Sequence, residues 1–244
     1  MEFDPPLTPG ILERRYKRFL ADVTLETGET VVAHCPNTGS MMGCDEPGTR
    51  VWLSYSTNPK RKLAWTWELV ESAQSEALAC INTARANTVM GELLDSARPA
   101  ALEGYDRLRP EVLYGSEKSR IDWLLEDSSG ARPPVWIEVK NVTLAEQGIG
   151  YFPDAVTVRG QKHLRELAGR VEAGDRAMLL FCVSHSGARE VRPAAGIDPV
   201  YAHLLREVVD RGVECCAWRM RMAPQGLHPG DQVPVLPGTP APGW

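Results

Sequence analysis

Two segments with strand-like alternation, 119–125 and 134–140, constrain this chain more than any other feature in it. Both are rich in Val, Ile, Leu and Trp and alternate in polarity, which is the period of a β-strand. Residues two apart share a face of a strand. Ile121, Trp123 and Leu125 therefore point one way, and Arg120 and Asp122 the other. In the second segment Val135, Ile137 and Val139 form the apolar face, opposed by Trp136, Glu138 and Lys140. Residues 127–134, with two serines, a glycine and two prolines, read as a hairpin or loop return. If the strands pair, Asp122, Glu138 and Lys140 converge.

Two carboxylates on adjacent strands suit Mg²⁺ or Mn²⁺, which take oxygen ligands and keep waters or substrate phosphates for the rest. A lysine beside them can position or deprotonate water, or neutralise charge building on a phosphate. A Glu-x-Lys on a solvated strand face would look the same, since surface ion pairs are common and weak. The preceding Asp strand and the apolar opposite faces favour the site without deciding it.

Further segments carry a resemblance: RYKRFLADV at 15–23, HCPNTGSM at 34–41, SRID at 119–122, IEVKNVTL at 137–144, YFPDAVT at 151–157 and RGQKHL at 159–164. In this order, they make the chain similar to the sugar fermentation stimulation protein A family. The resemblance implies an N-terminal OB-like β-barrel, then an α/β domain like the PD-(D/E)xK nucleases with a mixed central sheet, and binding to DNA. It implies Asp122 and Glu138 as metal ligands, Lys140 as the catalytic lysine and Glu111 as an auxiliary carboxylate upstream. It also implies a contribution from the helix after the lysine strand, where Gln161 and His163 are the candidates. The family name suggests an alternative, a non-catalytic DNA-binding regulator of sugar (maltose-type) metabolism. A sugar-binding module leaves the basic clusters without a use.

Residues 15–81 read as five short strands, 16–25, 30–34, 50–56, 64–72 and 77–81, broken at turn residues. That is the strand content of an oligonucleotide-binding barrel, and of other small barrels. Arg14, Arg15, Lys17 and Arg18 form one basic cluster; Lys60, Arg61 and Lys62 form another, followed by Trp65 and Trp67. Cations beside aromatic platforms hold nucleic-acid strands in such barrels, while a solvated charge run next to two core tryptophans reads identically. The amides and hydroxyls of 36–40 could cradle a phosphate or form a plain turn. His34, Cys35 and Cys44 lack the fourth ligand and the spacing of a zinc site.

A helix from about 82 to 96 marks the junction between an OB-like domain, 1–82, and a nuclease-like domain, 83–233. Residues 141–153, with Gly148 and Gly150, read as a mobile loop. Asp154 or Thr157 can cap a helix to about Glu172. Its core face is Leu164, Leu167, Ala168 and Val171, with Arg159, Lys162, His163 and Glu166 mainly on the other side. Strand 177–184, helix 199–211 and strand 213–218 form a β-α-β unit, which implies a parallel stretch of sheet. The Pro- and Gly-rich tail, 234–244, reads as disordered.

The net charge of −5 is shared by both halves, so any nucleic-acid contact rests on local patches. The candidates are Arg15, Lys17, Arg18, Lys60, Arg61, Lys62, Trp65, Arg159, Gln161 and His163. Phosphate-driven binding of DNA without sequence specificity is the expectation. No apolar run reaches the roughly 20 residues that span a bilayer, and the acidic start lacks a secretory apolar region. Six cysteines without framework spacing fit a reducing, cytoplasmic setting.

Overall fold

In the computed structural model, which describes residues 1–72, 76–96, 98–115 and 119–238, the N-terminal strands close on themselves. They are β1 (Thr8–Tyr16), β2 (Leu20–Leu25), β3 (Thr30–His34), β4 (Arg50–Tyr55) and β5 (Trp65–Glu71), with a short β6 (Leu78–Cys80) beside β5. β1 pairs with β2 and β4, and a parallel contact between β3 and β5 completes the ring. A closed barrel has no free strand edge, and its inside is filled by Leu12, Val23, Ala33, Leu53 and Trp67, all 0% exposed.

Two expectations change here. The strand read as 16–25 is the second half of a hairpin whose first strand, β1, was missed. The break falls at Lys17 and Arg18, which take left-handed φ values of 50° and 67°. Non-glycine residues seldom do so, hence the sequence shows no turn signal. Trp67 is not an aromatic platform; it is a core residue whose Nε1 donates to the Leu69 carbonyl at 2.9 Å.

The chain then enters α1 (Thr83–Ser96) and a short 3-10 helix, and goes on to β7 (Arg107–Tyr114), β8 (Ser119–Glu126) and β9 (Val135–Val142). There follow β10 (Leu144–Glu146), β11 (Ile149–Phe152), α2 (Val158–Glu172), β12 (Arg176–Val183), β13 (Glu190–Pro193), α3 (Pro199–Asp210), β14 (Glu214–Ala223) and β15 (Gly226–Val233). The main sheet runs β15-β14-β12-β9-β8-β7, parallel across β9, β12 and β14 and antiparallel at both ends. Val135, Ile137 and Val139 pack towards Val89, Met90 and Leu93 of α1. Trp136 lies in the layer of Leu164, Leu167, Tyr201 and Leu205 from α2 and α3. The alternation read in β9 thus sorts its residues between two helical layers. It does so less well in β8, where Ile121 packs with Leu124 and Trp136 rather than with Trp123 and Leu125.

Residues 141–153 are not a loop. β10 and β11 form a hairpin over Gln147 and Gly148, both at positive φ, and β11 pairs with β13. The start of the tail is also held, since Leu236 N donates to Val191 O at 2.9 Å; residues 239–244 lie outside the described residues. Barrel and sheet are joined through backbone: Cys80 N donates to Ser184 O and Ser186 N to Leu78 O. Among the described residues, no helix is long and apolar enough to cross a membrane.

Candidate active site

β8 and β9 pair as a hairpin from Leu125↔Val135 to Trp123↔Ile137, and there the ladder stops. The next donor on β9, Val139 N, goes to Asp122 Oδ2 at 2.7 Å. A side-chain carboxylate has replaced a backbone partner, so the strands part at this point. Asp122 Oδ1 accepts from Asn87 Nδ2 of α1 at 2.8 Å. Burial, and then the charge of Glu138, raise the Asp122 pKa above its ordinary value.

Glu138 is 3% exposed. Its Oε1 accepts from Lys140 Nζ at 2.6 Å and lies against His163 Nδ1, which is also 3.1 Å from Lys140 Nζ. Arg159 Nε donates to His163 Nε2 at 3.4 Å, so the ring is held with Nδ1 against Glu138. Burial pushes the Glu138 pKa up, but the His163 hydrogen bond and the Lys140 charge outweigh it, and the net shift is downward. The carboxylate is therefore ionised. Glu138 Oε2 is buried with no hydrogen-bond partner. A buried acceptor left in this state costs roughly 1–3 kcal/mol.

These groups border a cavity of about 430 Å³ lined by Glu111, Ser119, Arg120, Asp122, Glu138, Arg159, Lys162 and His163. Glu111 interrupts the β7–β8 ladder with φ at 55°, and its carbonyl accepts from Arg120 Nη1 at 3.1 Å. A bulky residue in that conformation marks local strain of about 1–3 kcal/mol, of the kind that gathers at functional sites.

The structure thus brings Asp122, Glu138, Lys140, Glu111, Arg159 and His163 together. His163 and Glu166 were read as facing away from the core, yet both are buried, and His163 turns inward to Glu138. Gln161 is not brought to the cavity, because its amide donates to both Asp198 oxygens at 3.1 Å. Arg15 is similarly engaged, with Asp45 and with the carbonyls of Arg18, Asn37 and Gly39. In the loop 36–40 Asn37 is buried, and Ser40 Oγ donates to Asp154 O and Oδ2 at 2.8 and 2.9 Å, so these two side chains are turned to the protein. Lys17, Arg18, Lys60 and Lys62 are exposed, whereas Arg61 donates to Thr66 Oγ1 at 2.6 Å. Trp65 is half-buried against Tyr55. Sequence reasoning missed Asn87, 35 residues before its partner; only the polar Asn on an otherwise apolar helix face hinted at it.

The donor set fits a hard cation. Asp122 and Glu138 face one cavity, and Glu138 Oε2 is an ionised oxygen lacking a donor. Among the described residues, no group of three or more His, Cys, Asp and Glu is arranged around one point, so protein would supply part of the coordination only.

A β-barrel of OB type followed by an α/β domain built on a mixed six-stranded sheet is the class this fold defines. Residues 14–81 match the SfsA N-terminal OB domain, and residues 84–226 match the sugar fermentation stimulation protein RE domain. The chain belongs to the sugar fermentation stimulation protein family. It is 54% identical over 236 residues to a sugar fermentation stimulation protein homolog of Pseudoalteromonas atlantica, covering 97% of this chain and 100% of that one. A homolog from Aeromonas hydrophila is 54% identical over 238 residues, with 96% and 95% covered. The solved structure of Pyrococcus furiosus SfsA, a complex with Ca²⁺, is similar with a TM-score of 0.84 and 27% identity over 97% of this chain and 98% of that one.

Proposed function

We propose that this protein binds DNA and that its cavity is the site of a divalent-metal-dependent phosphodiesterase acting on nucleic acid. The observation that carries the reading is the convergence of Asp122, ionised Glu138, Lys140 and His163 beside a cavity walled by Arg120, Arg159 and Lys162. Asp122 and Glu138 would hold Mg²⁺ or Mn²⁺, which when bound supplies Lewis-acid polarisation and an acidified water. That the Pyrococcus furiosus relative was solved as a Ca²⁺ complex supports divalent-ion binding by this protein.

The protein's own groups have separable roles. Asn87 and the Val139 amide fix both oxygens of Asp122. Lys140 and His163 hold Glu138 Oε1, which turns Oε2 to the other side of the carboxylate. Arg120, Arg159 and Lys162 supply positive charge where a phosphate diester would lie, the arginines with a planar fork suited to its oxygens. On this reading the Lys140 ammonium, released in part from Glu138, would offset charge on a phosphoryl oxygen.

The second reading is a DNA-binding regulator without turnover. It is favoured by Lys140, whose ammonium is already engaged by Glu138 and lies against His163. Incubation of wild type and Lys140→Ala with labelled single- and double-stranded DNA and RNA, with and without Mg²⁺ or Mn²⁺, separates the two. Metal-dependent cleavage by wild type that falls by about 10²–10⁴-fold in Lys140→Ala supports the enzyme. Binding with no cleavage of any substrate by either protein supports the regulator.

A further inference from the structure

The helix that holds Asp122 is itself held by the barrel. Val89, Met90 and Leu93 of α1 share one apolar layer with Trp52 and Leu69, barrel residues that stand apart from the barrel's own interior. Gly91 brings α1 close to β8, where a Cβ would stand 2.6 Å from the ring of Trp123, the neighbour of Asp122. Contacts of this kind set how deep a helix lies. They are non-directional, so they fix its rotation less closely than hydrogen bonds do.

The directional contacts sit at the start of α1. Asn82, the residue before it, accepts from Ala84 N through Oδ1 at 3.3 Å and donates from Nδ2 to Glu68 Oε2 at 2.8 Å. Arg85 donates to both Glu68 oxygens, from Nη2 at 2.7 Å and from Nε at 3.0 Å. A two-pronged pair of this type fixes direction as well as distance. Glu68 is anchored in β5, where Ser54 Oγ of β4 donates to its Oε1 at 2.8 Å. Its carbonyl accepts from Ile81 N at 3.0 Å, so backbone and side chain of one barrel residue grip the entry to the helix.

Asn87 follows Arg85 by two residues and Asn82 by five, about 7.5 Å of helical rise. Its Nδ2 donates to Asp122 Oδ1 at 2.8 Å. Over so short a stretch of hydrogen-bonded helix, a rotation at Arg85 is carried to Asn87.

We propose that Glu68 is a positioning residue for the metal site. By clamping Asn82 and Arg85 it sets the rotation of α1, and through Asn87 the orientation of the Asp122 carboxylate. The barrel thereby helps to set the affinity of the cavity for a divalent cation. The inference rests on the divalent-metal reading above and extends it to a residue outside the cavity.

The test is calorimetric titration of Mn²⁺ into the full chain as wild type, Glu68→Gln, Asn87→Ala and the double variant, well below their melting temperatures. Asn87→Ala should bind about 10–100-fold more weakly than wild type, as is usual when the outer partner of a ligand is removed. Glu68→Gln should bind roughly two- to thirtyfold more weakly. Since Glu68 acts through Asn87, the double variant should be no weaker than Asn87→Ala alone. Arg85→Lys keeps the charge and loses the fork; it should weaken binding in the same range, and it carries the test if Glu68→Gln does not fold. Leu53→Ala opens a cavity in the barrel interior away from α1, so it controls for lost stability and should bind like wild type. Unchanged affinity in Glu68→Gln and Arg85→Lys, additive losses in the double variant, or an equal loss in Leu53→Ala overturns the clamp and leaves the metal reading intact. Wild type that binds no Mn²⁺ overturns both.

Discussion

Two buried strand glutamates, Glu68 in the barrel and Glu138 in the sheet, meet opposite fates. Glu68 is 0% exposed, and every lone pair it offers is answered. Its Oε1 accepts from Ser54 Oγ at 2.8 Å and Arg85 Nη2 at 2.7 Å, and its Oε2 from Asn82 Nδ2 at 2.8 Å and Arg85 Nε at 3.0 Å. Those donors come from β4, the domain junction and α1, so Glu68 fastens the barrel to the helix that follows. Glu138 has two donors crowded on one oxygen and none on the other. A buried carboxylate that a fold uses for cohesion is satisfied by protein; one left half-satisfied needs another explanation, and on the reading proposed above that is a cation. The contrast sets apart a charge answered wholly by protein from one that protein answers only in part.

The contrast makes measurable claims. Glu68→Ala would leave Arg85 and Asn82 facing an empty buried site, and should cost about 3–5 kcal/mol of stability by chemical denaturation. A loss below 1 kcal/mol would break the contrast at its structural end. At the functional end, saturating Mg²⁺ or Ca²⁺ at a hundred times its dissociation constant should raise stability by about 2.7 kcal/mol in wild type. Glu138→Gln should show no such gain in a thermal melt.

A smaller effect tests a third carboxylate, Asp198, which is fully satisfied like Glu68 but at a helix end. It caps α3 through Tyr201 N at 2.9 Å and accepts from Thr157 N at 2.9 Å and from Gln161. Burial pushes its pKa up, but these backbone and side-chain donors outweigh it and hold it below the usual value. A depressed folded-state pKa stabilises the protein above the unfolded pKa, and that contribution is lost as pH falls through the folded value. Asp198→Ala should therefore cost about 0.5–2 kcal/mol at neutral pH, and the gap to wild type should narrow in acid. The smallest effect has the opposite sign. In metal-free protein Asp122→Asn removes a buried charge yet keeps an acceptor for Val139 N, so stability should hold or rise by less than about 1 kcal/mol.

The same contrast explains what the sequence made legible. The alternation of β9 put Glu138 and Lys140 opposite Val135, Ile137 and Val139, and burial in two layers followed that pattern. Thr157, one of two caps open for α2, the β-α-β order and the barrel strands after β1 were readable as well, because local period and capping chemistry determine them. What could not be read was written in backbone conformation and in distant contacts. The left-handed Lys17, Arg18 and Glu111 carry no glycine to announce them. The short β10–β11 hairpin has too few residues to show a period. Asn87, Gln161 and Arg15 were assignable only once the fold showed what stood opposite each. His163 was a candidate by resemblance, and its inward turn became visible only from the packing of α2 on β9.

The claim that Glu138 Oε2 and Asp122 await a cation is the centre of this account, and calorimetric titration with Mn²⁺ tests it most directly. Wild type should bind with a saturable heat that is lost in both Asp122→Asn and Glu138→Gln and preserved in Asp198→Ala. Identical heats in wild type and in both cavity variants would contradict it, and would leave Glu138 as a buried structural charge like Glu68.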